Sequence, residues 1–134
     1  MPKPPKTISV RIPPYRHPRN EWRKEIHAVV VREAERRGVS YTEDDQIEVW
    51  IKLYFDERKV RFVDVDNRVK DVLDALQGQA GGSKTVKLEP QVIPNDNQVY
   101  RVVVEKGVAP KQSGGLGYLK IRKFNPASRL LLRW

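Results

Sequence analysis

The sequence predicts an α+β fold, a small mixed β-sheet with two main helices on one face. Three observations lead there. "KTISVRI", "IEVWIKLYF" and "QVYRVVVEK" alternate apolar and polar residues with the period of two expected of strands. Two other segments repeat apolar residues at helical spacing. The elements follow one another as strand, helix, strand, strand, helix, strand, strand, which suits a mixed sheet with helices on one side.

The first strand sets Ile8, Val10 and Ile12 against Ser9 and Arg11. "PPYRHPRN" follows as a proline-broken basic loop. Asn20 is placed to cap the next helix, with Glu21 in its first turn. Trp22, Ile26, Val29, Val30 and Ala34 form its apolar stripe, Arg23, His27, Arg36 and Arg37 lie largely off it, and Gly38 stops it. In "IEVWIKLYF" (47–55) one face holds Ile47, Val49, Ile51, Leu53 and Phe55, the other Glu48, Trp50, Lys52 and Tyr54. A turn around Asp56–Lys59 leads into "VRFVDV", read as a second extended segment. Asp66 is then expected to cap a helix running to about Gln77, with Val69, Val72, Leu73 and Leu76 as its stripe and Gly78 at its end. "GQAGGSKT" (78–85) reads as a flexible linker. The strand "QVYRVVVEK" (98–106), the loop "APKQSGG" and a late strand "GYLKIRKF" (117–124) complete the body. The tail "NPASRLLLRW" fits either a short helix packed on the body or a contact with a partner.

A chain of 134 residues with 39% hydrophobic content has the material for one core. The expectation is a single domain over 1–134, with a Gly-rich insertion near 78–91 and a basic C-terminal extension, 107–134. No apolar run approaches a membrane span, and "MPKPPK" lacks the apolar region of a signal peptide. With no cysteine, disulfides and cysteine-based zinc sites are excluded. A cytoplasmic location without membrane partners is expected. The net charge of +9 favours a polyanionic partner, nucleic acid above all. Residues 1–24 hold seven Lys/Arg and one acid, residues 107–134 six Lys/Arg and no acid, and residues 39–76 ten acids against six bases. Basic ends folded over an acidic middle would make a basic surface around an acidic pocket.

"RFVDVDNRVKDVLDAL" concentrates the acids. In an extended segment Asp64 and Asp66 would share one face, where two carboxylates need a cation. On the helix that follows, Asn67, Lys70 and Asp74 fall within about 60° of one another, and Asp71 lies further round, expected in solvent. Asp96 in "VIPNDNQV" would supply a third carboxylate if the sheet returns it to the same corner. Aspartates without His or Cys suit a hard, oxygen-loving ion such as Mg²⁺, with Mn²⁺ as a substitute. Such an ion activates water and neutralises charge on a transferred phosphoryl group, and Lys70 is placed to stabilise that charge. Each part has a plainer reading as well: Asp66 as a helix cap, Lys70 as an ion-pair partner of Asp66 or Asp74, and Asp96 as a turn residue.

"DVDNRVKDVLDAL" followed by "NDNQV" resembles the RusA family of Holliday junction resolvases. The family pattern D-x-D-N-x-x-K-x-x-x-D-x-L reads here as Asp64, Asp66, Asn67, Lys70, Asp74 and Leu76. Its acidic segment before a strand reads as Asp96, Gln98, Val99 and Lys106. The likeness spans roughly residues 7–106. The stretch between the motifs is long and glycine-rich, and Asn95 precedes Asp96 where the family often has two acids. The resemblance implies a Mg²⁺-dependent endonuclease that cuts four-way DNA junctions as a homodimer. Asp64, Asp66 and Asp96 would be metal ligands, Lys70 catalytic, and Asn67, Asp74 and Gln98 would orient the ligands.

Tyr15 and Arg16 are candidates for entering a branched DNA centre, and Arg19, Arg23, Arg58, Lys59 and Arg61 for holding the DNA. His17 and His27 read as phosphate contacts or surface residues. Val99, Val103, Trp50, Tyr54 and the terminal "LLLRW" are candidates for burial against a second copy. Two alternatives stand beside the junction nuclease. One is a non-catalytic basic nucleic-acid-binding module, the other a metal-dependent nuclease for other branched or flap DNA.

Overall fold

Alternation does mark the strands. In the computed structural model, which describes residues 6–81 and 87–127, β1 is Thr7–Ile12, β2 Ile47–Phe55, β3 Val99–Val108 and β4 Gly117–Lys123. Helix α1 runs Arg19–Arg37 and α2 Val65–Leu76. The sheet order is β1-β4-β2-β3, with β4 antiparallel to both β1 and β2, and β2 parallel to β3. Helix α2 lies in the β2–β3 connection, where parallel pairing requires a crossover. This is the expected α+β fold, a small mixed sheet with two helices.

Ile8, Ile12, Val49, Ile51, Leu53, Leu119 and Ile121 form one core with Trp22, Ile26 and Val30 of α1 and Val72, Ala75 and Leu76 of α2. Both helices therefore cover the same face of the sheet. The segment read as a C-terminal extension supplies β4, which sits between β1 and β2. Gly117 opens that strand because a Cβ there would meet the Lys52 carbonyl oxygen at 2.4 Å.

Several local expectations are corrected. "VRFVDV" is not extended: Val60–Phe62 is a 3₁₀ turn, closed by Phe62 N–H to the Lys59 carbonyl (2.9 Å). The reason is topological, since β3 and β4 occupy both edges of β2 and leave no place for a hairpin partner. Asp64, not Asp66, caps α2, its Oδ1 accepting the Asp66 N–H at 2.9 Å. Pro18, not Asn20, stands at the N-cap of α1, and its carbonyl accepts the Glu21 N–H. Gly38 ends that helix as expected, at φ 65°.

The second face of β2 is not free for a partner over its first half. Glu48 is buried between Arg101 and Arg122, and Trp50 is buried with the Arg122 guanidinium 4.9 Å from its ring. His27 is buried too, its Nε2 2.8 Å from the Pro90 carbonyl, rather than at the surface.

The basic ends do fold onto the acidic middle. Lys6 and Lys123 both reach Asp45 (3.5 and 3.4 Å), Arg122 reaches Glu48, and Arg19 reaches Asp71. Four of the cations near the ends are thereby matched by acids of the middle. The Gly-rich stretch is pinned at its start, where Gly78 and Ala80 are buried and the Gly78 carbonyl accepts the Leu88 N–H. Residues 82–86 of that stretch, and the "LLLRW" end of the tail, lie outside the described residues.

Candidate functional site

The start of α2 carries the first two aspartates. Asp64 leaves β-region geometry (φ −85°, ψ 111°) as the helix begins, and Asp66 sits in the first turn, both exposed. Carboxylates are favoured at this end by the unpaired N–H groups and the helix dipole. They are neighbours through the cap, not through strand alternation. Lys106 of β3 donates its Nζ to the Val63 carbonyl (3.0 Å), so an ammonium stands next to the residue that precedes Asp64.

Along the same helix Asp66, Lys70 and Asp74 follow at intervals of four, one above another. Lys70 is exposed, and among the described residues it forms no ion pair within 4.0 Å. Asp74 is half-buried, and burial pushes its carboxyl above the ordinary value of 3.8. Arg23 and Lys70 oppose that rise, while the charges of Asp71 and Asp96 add to it. Asp96 is thus felt at the later part of the stripe. It opens the 3₁₀ turn Asp96–Gln98, which Asn95 caps. Gln98 is buried and holds this turn to the body, donating to the Thr42 and Asp45 carbonyls (2.8 and 2.9 Å) and accepting from Asn95 N–H. Its role in the fold is to fix the backbone that presents Asp96.

Asp64 and Asp74 are ten residues apart, about 15 Å along a helix. Among the described residues, no three His, Asp or Glu side chains are grouped to hold a metal ion. What lies together at the helix start is the Asp64–Asp66 pair. Mg²⁺ typically takes one or two carboxylates, with water and phosphate oxygens completing its shell, so two carboxylates at one helix start match the number of protein donors such an ion takes.

Asp71 is fully buried, contrary to the expectation of a solvated residue. Arg19, Arg23 and Arg68 approach its carboxylate at 2.7, 2.9 and 3.2 Å, and Arg23 also reaches Asp74 at 3.1 Å. The buried arc of α2 extends through Ala75, which stands only about 40° from Asp71 around the helix axis. Of the basic residues expected to hold DNA, Arg23 is thus a structural cation with a side chain only 11% exposed. Arg19 shares its guanidinium with the same carboxylate, and Arg16 pairs with Glu25.

Arg58, Lys59 and Arg61 remain exposed on the turn before α2. Beside them Phe62 is 79% exposed, the most exposed large apolar side chain among the described residues. The position falls in the segment expected to be extended, and its signal in the sequence is an aromatic set in "RKVRF", two residues before Asp64. Next to this turn a cleft of about 490 Å³ is lined by Tyr15, Arg16, His17, Lys59, Asp64 and Arg68, among others. The Arg68 guanidinium carbon lies 3.6 Å from the centre of the Tyr15 ring. This contact joins the proline loop to α2 and was not visible in either segment alone. Compared with known proteins, the chain matches no family model and no curated protein.

Proposed function

We propose that the chain is a Mg²⁺-dependent endonuclease for branched DNA, with four-way junctions as its substrate and a homodimer as its working form, acting in the cytoplasm. The observation that carries this reading is the exposed Asp64–Asp66 pair at the start of α2, with Lys70 one turn on and the basic turn 58–62 beside it. Asp64 and Asp66 would hold the ion, which when bound supplies an activated water and neutralises phosphate charge. Asp96 belongs to the same reading through the motif it completes.

The chain's own part is positioning. Arg58, Lys59 and Arg61 would hold phosphates on either side of the cut, and exposed Phe62 would press on bases where their stacking is interrupted. Lys70, projecting on the same helical stripe as Asp66, would stabilise charge developing on the reacting phosphate. Asn67 is exposed at the start of the helix and would orient the ligands or the substrate.

The test is incubation with Mg²⁺ and a panel of four-way, three-way, flap and linear DNAs, with Asp66→Asn alongside. Cleavage of branched DNA that the substitution abolishes, while affinity holds or rises, supports the nuclease. Flap cleavage in preference to junction cleavage would move the substrate to the alternative class. A second reading, a non-catalytic DNA-binding module, draws on the structural work of the acids, Asp64 capping α2 and Asp71 tying α2 to α1. That reading expects binding without cleavage in any divalent ion.

A further inference from the structure

We infer that the cleft between the proline loop and α2 is a binding site for one unpaired nucleobase of the DNA substrate. The inference rests on the nuclease reading for the identity of the polymer and adds to it where a base goes. Three flat rings, Tyr15, His17 and Phe55, and the planar Arg68 guanidinium line the cleft. Bases removed from a duplex stack on aromatic rings and on guanidinium planes.

The flat groups are held in place. Arg68 is fixed between the Tyr15 ring and buried Asp71, and Tyr15 meets Trp22 edge-on at 5.1 Å between ring centres. His17 meets Tyr15 at 5.5 Å and is itself exposed. A cleft of about 490 Å³ lies within the range of small-molecule sites, about 300–1,000 Å³.

The polar lining suits a nucleotide as well. The exposed Asn67 amide offers both a donor and an acceptor to a base edge. Exposed Lys59 stands at the cleft for the phosphate. Asp64 lines the same cleft, so a base seated there would bring its own phosphate close to Asp64. A fully paired duplex offers no free base for this cleft, whereas a bulge or an opened branch point does.

The experiment uses the whole chain in EDTA, so that binding is read without cleavage. Fluorescence anisotropy compares a paired duplex with the same duplex carrying one bulged nucleotide. The bulged DNA should bind at least about fivefold more tightly, the lower end of what stacking a single base is worth. His17→Ala and Asn67→Ala, both at exposed positions, should each reduce that preference. A 2-aminopurine at the bulge should lose fluorescence on binding and regain it in His17→Ala. Equal affinity for the two DNAs, or a preference intact in both variants, overturns the base site. Failure of the wild-type chain to cut any branched DNA in Mg²⁺ would remove the nuclease reading, and a bulge preference that persists would still support the base site.

Discussion

Asp71 carries its charge in a fully buried position because Arg19, Arg23 and Arg68 surround it. Removing one member of such a group leaves uncompensated charge, which typically costs about 3–5 kcal/mol. Asp71→Asn keeps the shape and removes the charge, so it should lower unfolding free energy by about that amount. Urea melts measure this, and a variant as stable as wild type would show that the cluster contributes little. Lys70, one residue earlier, points outward. Lys70→Ala should slow cleavage by about 100-fold or more if the ammonium stabilises transition-state charge, and leave the urea midpoint in place. Parallel losses of activity and stability would assign Lys70 to the fold instead.

Helix α2 joins the core to the site, since Val72, Ala75 and Leu76 are buried while Asp66, Asn67 and Lys70 face out. Leu76→Ala should cost about 2–5 kcal/mol in urea melts, the range for emptying a buried leucine site. The stripe and the strand patterns were legible because periodicity is local. "VRFVDV" was misread because alternation cannot show that both edges of β2 are already taken by β3 and β4. Asp71 was misread because a helical projection sees its own helix and not the arginines of α1. For the same reason β4 passed for an extension: its place between β1 and β2 depends on pairing across more than 100 residues of chain, Thr7 with Arg122. Of the candidate site, Asp64, Asp66 and Lys70 were legible as a motif. The Tyr15–Arg68 contact needs the fold to bring two segments together.

At the scale of the whole molecule, Asp45 ties the two ends of the chain to the loop before β2 through Lys6 and Lys123. A hydrogen bond from Thr42 N–H, with help from those lysines, holds its carboxyl below the ordinary value of 3.8. A carboxyl lowered on folding stabilises above its unfolded value, and the contribution is lost as pH falls through the folded one. Asp45→Asn should therefore flatten the acid limb of a melting-temperature curve taken between about pH 2 and 6. Asp74, raised by burial, works in the opposite direction: its contribution is present below 3.8 and lost as pH rises through the folded value.

Assembly is decided by what the sheet leaves uncovered. β3 is an edge strand, and Tyr100, Val102 and Val108 are exposed along it. Trp50 is already buried within the chain and Val99 packs against its own core, which moves the candidate interface from β2 to the exposed side of β3 and its half-buried Val103. A long edge strand bearing exposed valines is an open template for pairing, and a two-fold pairing of β3 with its copy would give the two sites that paired cuts require. The expected mass by light scattering is twice 15.6 kDa. Val102→Lys, which sets like charges against each other across a two-fold edge, should return the mass to that of one chain. On the proposed junction-nuclease function, it should also turn paired cuts into single nicks, with DNA affinity still falling steeply as salt rises. A wild-type chain that is monomeric at micromolar concentration and still makes paired cuts would overturn the β3 dimer.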